Sequence, residues 1–431
     1  MKGWIVRTTA AGESGVLTRF EQVRSRTLEL CAPLEIEDYV VQTSPDVSPP
    51  KWHLAHTTWF FETFLLADFV RDYQPVCPEY KVLFNSYYNA VGDKHPRHQR
   101  GLLSRPTVQE VVAYRQRVDA RMGELLESRE DAPLRSEILR RLELGLHHEK
   151  QHQELLLMDI KYNFSVNPLR PAYAPSTLHA ASGSPALAWL EFEPGLQEFG
   201  HDGPGFAYDN ETPRHRAYLA PYALASRLVT NAEFMEFVDA GGYTQPRHWL
   251  ADGWLAVQRE SWSAPLYWEK RDGRWCEFTL RGLQALDDNR PVVHVSYFEA
   301  DAFARWKQRR LPSELEWEHA ASSQPVRGNF LDSEGLHPDA ASGSGLQQMF
   351  GDVWEVTQSD YRPYHGYRAV QGALGEYNGK FMCGQYVQRG GSCVSPRAHL
   401  RATYRNYYYP QQRWNFQGLR LASDLEGGAR R

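Results

Sequence analysis

The strongest restriction on the fold is a change of periodicity near residue 165. Before it, Val16, Leu17, Phe20, Val23, Leu28 and Cys31 recur at three- and four-residue steps, and Val108, Val111, Val112, Val118, Met122, Leu125 and Leu126 repeat the pattern. Each such run buries one stripe of a helix. Between them, "SPDVSPPKWHLAHTTWFFETFLL" opens with proline-rich turn chemistry and reads as a helix beginning at Pro50, and Ile138 to Ile160 supplies a fourth. Four amphipathic segments predict a helix bundle over residues 1–165, an interior that commonly holds metals on facing side chains. After "NFSVNPLRPAYAPSTLHAASGSP" the signal fades, which predicts a linker over 166–187. Residues 188–431 have prolines and glycines at short intervals and helix-like runs only near Thr230–Asp239 and Tyr297–Arg309. They predict an irregular α+β domain, and 431 residues suit two domains.

Composition removes several classes of function. The net charge is -5, and no block of like charge is present that would follow a phosphate backbone, so nucleic acid is not an expected partner. "MKGWIVRTTAAGESG" is too polar for a signal peptide, and no apolar run is long enough to span a bilayer. A cytoplasmic protein without a membrane partner is expected. The five cysteines show no CxxC spacing, which argues for reduced thiols over a disulfide framework or a zinc ribbon. Aromatic residues make up 13% of the chain and increase towards its C-terminus, where flat faces with polar tips can line a ligand pocket.

"HHEKQHQE" sets His148 and His152 four residues apart, on one face of a helix, where two imidazoles can grip one cation. A polar, solvated helix face is the plain alternative. The same letters also spell the HExxH of a zinc hydrolase with Glu149 as general base, although no metzincin-type third histidine follows. A third ligand is better sought in "WHLAH", where spacing leaves His53 and His56 equally eligible. An all-nitrogen facial set would leave open positions for a thiolate and dioxygen on iron, whereas zinc would support no redox step. A non-catalytic ligand-binding module built on the aromatic half is the remaining alternative.

The segments "SPPKWHLAHTTWFFE", "LFNSYYNAVGDKHPRHQRGLLSRPTV" and "LGLHHEKQHQELLLMDIKYNF", followed by "RLPSELEWEHAA", "GDVWEVTQSDY", "QRGGS" and "WNFQGLRLA", closely resemble the ergothioneine-biosynthesis sulfoxide synthases from about Val16 to Ala422. The resemblance implies a DinB-like four-helix bundle followed by an irregular α+β domain of the formylglycine-generating-enzyme, C-type-lectin-like kind. It implies an iron(II) enzyme that uses O2 to join the sulfur of L-cysteine or γ-glutamylcysteine to C2 of the hercynine imidazole. By motif position the iron ligands would be His56, His148 and His152, with His53 structural or one shell out. Gln151 would contact the imidazole of hercynine, and Asn415 and Phe416 would face it, with Trp414 a weaker candidate.

Aromatic faces suit the trimethylated ammonium of hercynine. A tyrosine hydroxyl suits the proton donor that would favour C–S coupling over simple thiol oxidation. Tyr87 and Tyr88 of "NSYYNA" are expected first in that role, with Tyr377 of the C-terminal domain in reserve. Arg97, Arg100 and Arg105 are candidates to hold the donor's carboxylate. The formylglycine-generating namesakes use two cysteines after "RGGS". Here Ser395 and Leu400 stand at those positions, and Cys393 has no nearby partner thiol in that stretch, so this half is read as a substrate-binding lid. The subfamily using γ-glutamylcysteine typically carries an acid where this chain has Gln417, so free L-cysteine is the expected donor.

Overall fold

The computed structural model describes residues 15–128 and 131–425. The chain forms two compact units: the first gathers the chain up to Tyr173 together with Gly203–Asp209 and Arg368–Gly379, and the second holds Ala174–Asp202, Asn210–Tyr367 and the chain from Lys380 onward.

In the first unit α1 (Val16–Cys31), α2 (Pro50–Phe61), α5 (Val108–Glu127) and α6 (Ala132–Ser165) build the expected bundle, with single turns α3 (Ala67–Phe69) and α4 (Tyr80–Leu83) between them. Proline starts α2, as the sequence predicts. Thr107 caps α5, with its hydroxyl accepting from Glu110 N–H while the Glu110 carboxylate accepts from Thr107 N–H. Every residue of α2 is buried, so this helix is the centre of the unit. It runs into one π-helical turn, Glu62–Leu66, that the periodicity did not announce. There the Glu62 carboxylate accepts hydrogen bonds from the hydroxyls of Tyr114 at 2.5 Å and Tyr73 at 2.9 Å.

A linear boundary near residue 187 puts Tyr377 in the C-terminal half, and the structure corrects this. Arg368–Gly379 belongs to the first unit. Glu376 accepts from the backbone N–H groups of Asn89 (3.0 Å) and Ala90 (2.7 Å), and Asn378 Nδ2 donates to Asp209 Oδ1 at 2.7 Å. Periodicity reads neighbours along the chain and has no access to a segment that leaves and returns.

The second unit is built from short strands. Trp189–Phe192, Tyr222–Ala225 and Ala422–Asp424 form one sheet, and Asn406–Tyr408, Tyr386–Arg389, Trp354–Asp360 and Gln417–Gly418 another, whose last two strands are parallel. Helices Asn231–Asp239 and Tyr297–Trp306 correspond to the two helix-like runs, while Ala251–Glu260 and Glu314–Ala321 were not anticipated. The charged letters of the C-terminal motifs are largely internal ion pairs. Arg420 Nε meets Glu355 Oε2 at 2.7 Å, and Arg389 Nη2 meets Glu314 and Glu318, each at 2.9 Å. These charges are buried and paired, the condition under which a domain core tolerates them.

Candidate metal centre

Because α2 is buried on every side, burial does not separate His53 from His56; direction does. His56 Nε2 lies 3.2 Å from His148 Nε2, and the ligand atoms of His56, His148 and His152 all lie within 4.8 Å of one another. His53 is turned behind the group, with Nδ1 2.9 Å from Nδ1 of His152 and Nε2 3.0 Å from Asp159 Oδ2. His148 and His152 lie one turn apart on α6. One turn before them, Gly145 permits the close approach to α2, since a Cβ there would stand 2.6 Å from the Phe61 ring. Trp52 stacks on His56 and Phe60 on His148, both with centroids 4.5 Å apart, which fixes the ring planes.

Burial pushes the His148 imidazolium pKa down to about 3 and drives those of His56 and His152 well below the usual histidine value, with the neighbouring histidines adding to both. All three rings are therefore neutral at pH 7. His56 Nδ1 sits 2.6 Å from the Phe84 carbonyl, which can only accept, so the ring proton is on Nδ1 and Nε2 carries a lone pair. Facing nitrogens at 3.2 Å repel unless a proton or a cation lies between them; a neutral His148 can supply that proton from Nε2, and a bound cation would take its place. Three neutral nitrogens without a carboxylate suit iron, zinc or copper and not magnesium or calcium. The residues present fit iron(II).

Glu149 does not fit the hydrolase reading. It is fully buried, accepts from Arg24 Nη1 at 2.8 Å, from Thr27 Oγ1 at 2.6 Å and from Arg115, and its pKa is held down to about 2 by the two guanidinium groups against the effect of burial. A carboxylate tied to α1 and α5 in this way is a structural anion and is not free to act as a general base.

The Tyr377 hydroxyl donates to Gln151 Oε1, next in sequence to His152, and its ring lies 5.8 Å from that of His148 and stacks on Tyr208 at 5.4 Å. Tyr87 and Tyr88 stack on each other at 4.6 Å, and Tyr87 meets the Tyr377 ring edge-on at 6.4 Å. Burial raises the hydroxyl pKa of both, that of Tyr88 well above the usual tyrosine value. The sequence offered no signal for Tyr208.

Arg97 donates to the Asp46 carbonyl, and exposed Arg105 donates from Nη1 to the Ser104 carbonyl at 3.0 Å. Arg100 is different. It is buried, its Cζ stands 3.4 Å over the Trp52 ring, its Nη1 donates to Ser48 Oγ at 2.9 Å, and among the described residues no carboxylate hydrogen-bonds to it, although the Asp159 charge acts on it at longer range.

In the second unit the "NFQ" residues lie in a buried amide row. Asn415 Nδ2 donates to Gln388 Oε1 at 2.9 Å, Gln388 Nε2 donates to Gln417 Oε1, and Gln417 Nε2 donates to the Gln412 carbonyl at 2.5 Å. Asn415 Oδ1 is buried with no partner among the described residues. Phe416 packs against His294 at 4.6 Å, and Trp414 meets Tyr408 edge-on at 5.6 Å. His294 and Tyr267, in ring contact at 4.7 Å, both have left-handed backbones, with φ of 63° and 76°. Strain of that kind on non-glycine residues gathers at functional sites. Neither residue stood out in the sequence.

Residues 19–156 match the DinB superfamily, and residues 184–344 and 337–425 match the sulfatase-modifying factor enzyme 1-like domain. The chain is 32% identical to the hercynine oxygenase of Mycolicibacterium smegmatis, covering 98% of this chain and 100% of that protein. It is 31% identical to the hercynine oxygenase of Mycolicibacterium thermoresistibile, covering 94% and 93% respectively. Ergothioneine biosynthesis protein 1 of Schizosaccharomyces pombe is 26% identical over 51% of this chain and 28% of its own length. Both halves are matched in order and two relatives above 30% identity align almost end to end, so the chain belongs to the hercynine oxygenase family.

Proposed function

We propose that this protein is an iron(II)-dependent oxygenase of ergothioneine biosynthesis that joins the sulfur of L-cysteine to C2 of the hercynine imidazole as a sulfoxide. The observation that carries the reading is the buried, carboxylate-free triad of His56, His148 and His152 in a chain of this family. The reaction balances as thiol plus hercynine plus O2 giving sulfoxide plus water. The C–H and S–H bonds break, C–S and S=O bonds form, and four electrons pass to oxygen. Bound iron would supply the thiolate affinity and the redox capacity that this chain's side chains lack.

The protein's own residues bind, orient and move protons. Gln151 offers an amide to the hercynine imidazole while accepting from Tyr377. Arg100 is the best-suited anchor for the donor's carboxylate, because it is buried and no carboxylate hydrogen-bonds to it among the described residues, Asp159 acting on it only at longer range. Asn415 Oδ1 is an acceptor left over for a ligand. Aerobic incubation with iron(II), hercynine and L-cysteine, followed by mass analysis, tests the reading. A cysteinyl sulfoxide of hercynine with oxygen uptake is expected, and stoichiometric zinc with peptide cleavage would overturn it.

Of Tyr87, Tyr88 and Tyr377, the last is best placed as proton donor, since its hydroxyl donates to Gln151 and its ring lies 5.8 Å from that of His148. Tyr377→Phe should lower sulfoxide formation by about 10²-fold or more, the scale of a lost general acid, and raise the share of cysteine leaving as sulfinic acid. Tyr88→Phe should leave that ratio unchanged. A Tyr377→Phe enzyme with the parent's product ratio would refute the assignment.

Gln417, its amide engaged by Gln388 and the Gln412 carbonyl, has no charge to offer the ammonium of a longer thiol donor. L-cysteine should therefore outcompete γ-glutamylcysteine at equal concentration. Gln417→Asp should move the ratio towards the γ-glutamyl product by roughly 10-fold, as a partly buried ionic partner is worth on the order of 2 kcal/mol. Predominance of the γ-glutamyl product in the parent enzyme would contradict this.

A further inference from the structure

We infer that Asp159 and His53 form a hydrogen-bond relay that decides which nitrogen of His152 is free to bind a metal, so that both are positioning residues of the centre. The inference rests on the reading of His56, His148 and His152 as the ligands.

A carboxylate accepts and does not donate. Asp159 Oδ2 receives the Ser48 backbone N–H at 2.8 Å and stands 3.0 Å from His53 Nε2, so the proton of that second contact belongs to His53. When His53 carries a single ring proton, that proton is on Nε2 and its Nδ1 is bare. That Nδ1 lies 2.9 Å from Nδ1 of His152, so His152 must donate there. The proton of His152 is thereby held on Nδ1, and its Nε2 keeps the lone pair. Ser48, His53 and Asp159 are all buried, so water does not compete for these roles.

The Phe84 carbonyl does the same for His56 with a single acceptor. His148 Nδ1 has no partner among the described residues, so the fold sets the tautomer of two of the three ligands and leaves the third to the metal. Outer-shell partners of metal-bound histidines orient the ring and raise its basicity. Asp159 lies two helical turns after His152 on α6, which puts it on the same face, and His53 bridges them from α2.

Cobalt(II) binding to the metal-stripped full-length chain tests the relay, read by chelator competition and visible absorption, with the thermal midpoint of each metal-free variant as the check on folding. His53→Phe keeps a ring and removes the acceptor. It should weaken cobalt(II) binding by about 10–100-fold, the usual cost of a lost outer partner, while His53→Gln, whose carbonyl can accept from His152, should stay within about threefold of the parent. Equal affinity of His53→Phe and the parent, or equal losses in His53→Phe and His53→Gln, would overturn the relay while leaving the centre standing. A parent whose cobalt(II) affinity is unaffected by His148→Ala would overturn the centre and the relay with it. Ring-nitrogen NMR shifts of the unsubstituted metal-free chain give a reading that needs no variant: His152 protonated on Nδ1 supports the relay, and protonation on Nε2 refutes it.

Discussion

His56→Ala should abolish iron retention, lowering affinity by well over 100-fold, because even an outer partner of a metal-bound histidine is worth about 10–100-fold. The measurement is the iron-to-protein ratio after gel filtration, with far-UV circular dichroism to show that the bundle persists. The distinguishing control is His53→Ala. His53 and His56 share one buried helix three residues apart, and only His56 points its free nitrogen at His148. His53→Ala should therefore weaken metal binding without abolishing it. Iron lost from His53→Ala and kept by His56→Ala would reverse the assignment.

Glu149→Ala should destabilise the metal-free protein by about 3–5 kcal/mol, since it removes the ion-pair partner of the buried Arg115 guanidinium and leaves buried Arg24 with Asp119 alone. Urea unfolding at pH 7 measures this, and a change below about 1 kcal/mol would show the network to be dispensable. The same residue has a pH signature. Its pKa falls from 4.5 to about 2 on folding, so the unfolded chain takes up the proton first as the solution is acidified. The stabilisation is fully present above pH 4.5 and is lost between there and about pH 2. His148, lowered from 6.5 to about 3, makes the metal-free protein lose stability on acidification from a higher pH. The Glu149 contribution is thus the difference between the parent and Glu149→Ala curves. A catalytic base in a solvated cleft would give neither the stability loss nor this acid window.

The bundle was legible because helical periodicity is a local property: the apolar spacing of α1 and α5 and the proline at the start of α2 each act within a turn or two. His148 and His152 were legible for the same reason, since a four-residue step on a helix places two side chains on one face in any tertiary setting. The strands of the second unit, mostly three to five residues long, carried too little alternation to read, and there the fold came from the motif resemblance.

What sequence spacing leaves open turns on packing. The choice of His56 over His53 depends on which ring finds a backbone carbonyl and which finds Asp159. Glu149 looks like a catalytic base in one dimension and is a buried counter-ion in three, because Arg24 and Arg115 reach it from other helices. Tyr377 meets Gln151 across 226 residues of chain, a contact that no local pattern encodes. The sequence by itself determined the main helices of the bundle, the pair of histidines on one of them and the family. Tertiary structure alone decided which way the His53 and His56 rings face and the partner of each polar group, because a lone pair or a proton is assigned by the neighbour it faces, and those neighbours come from distant segments.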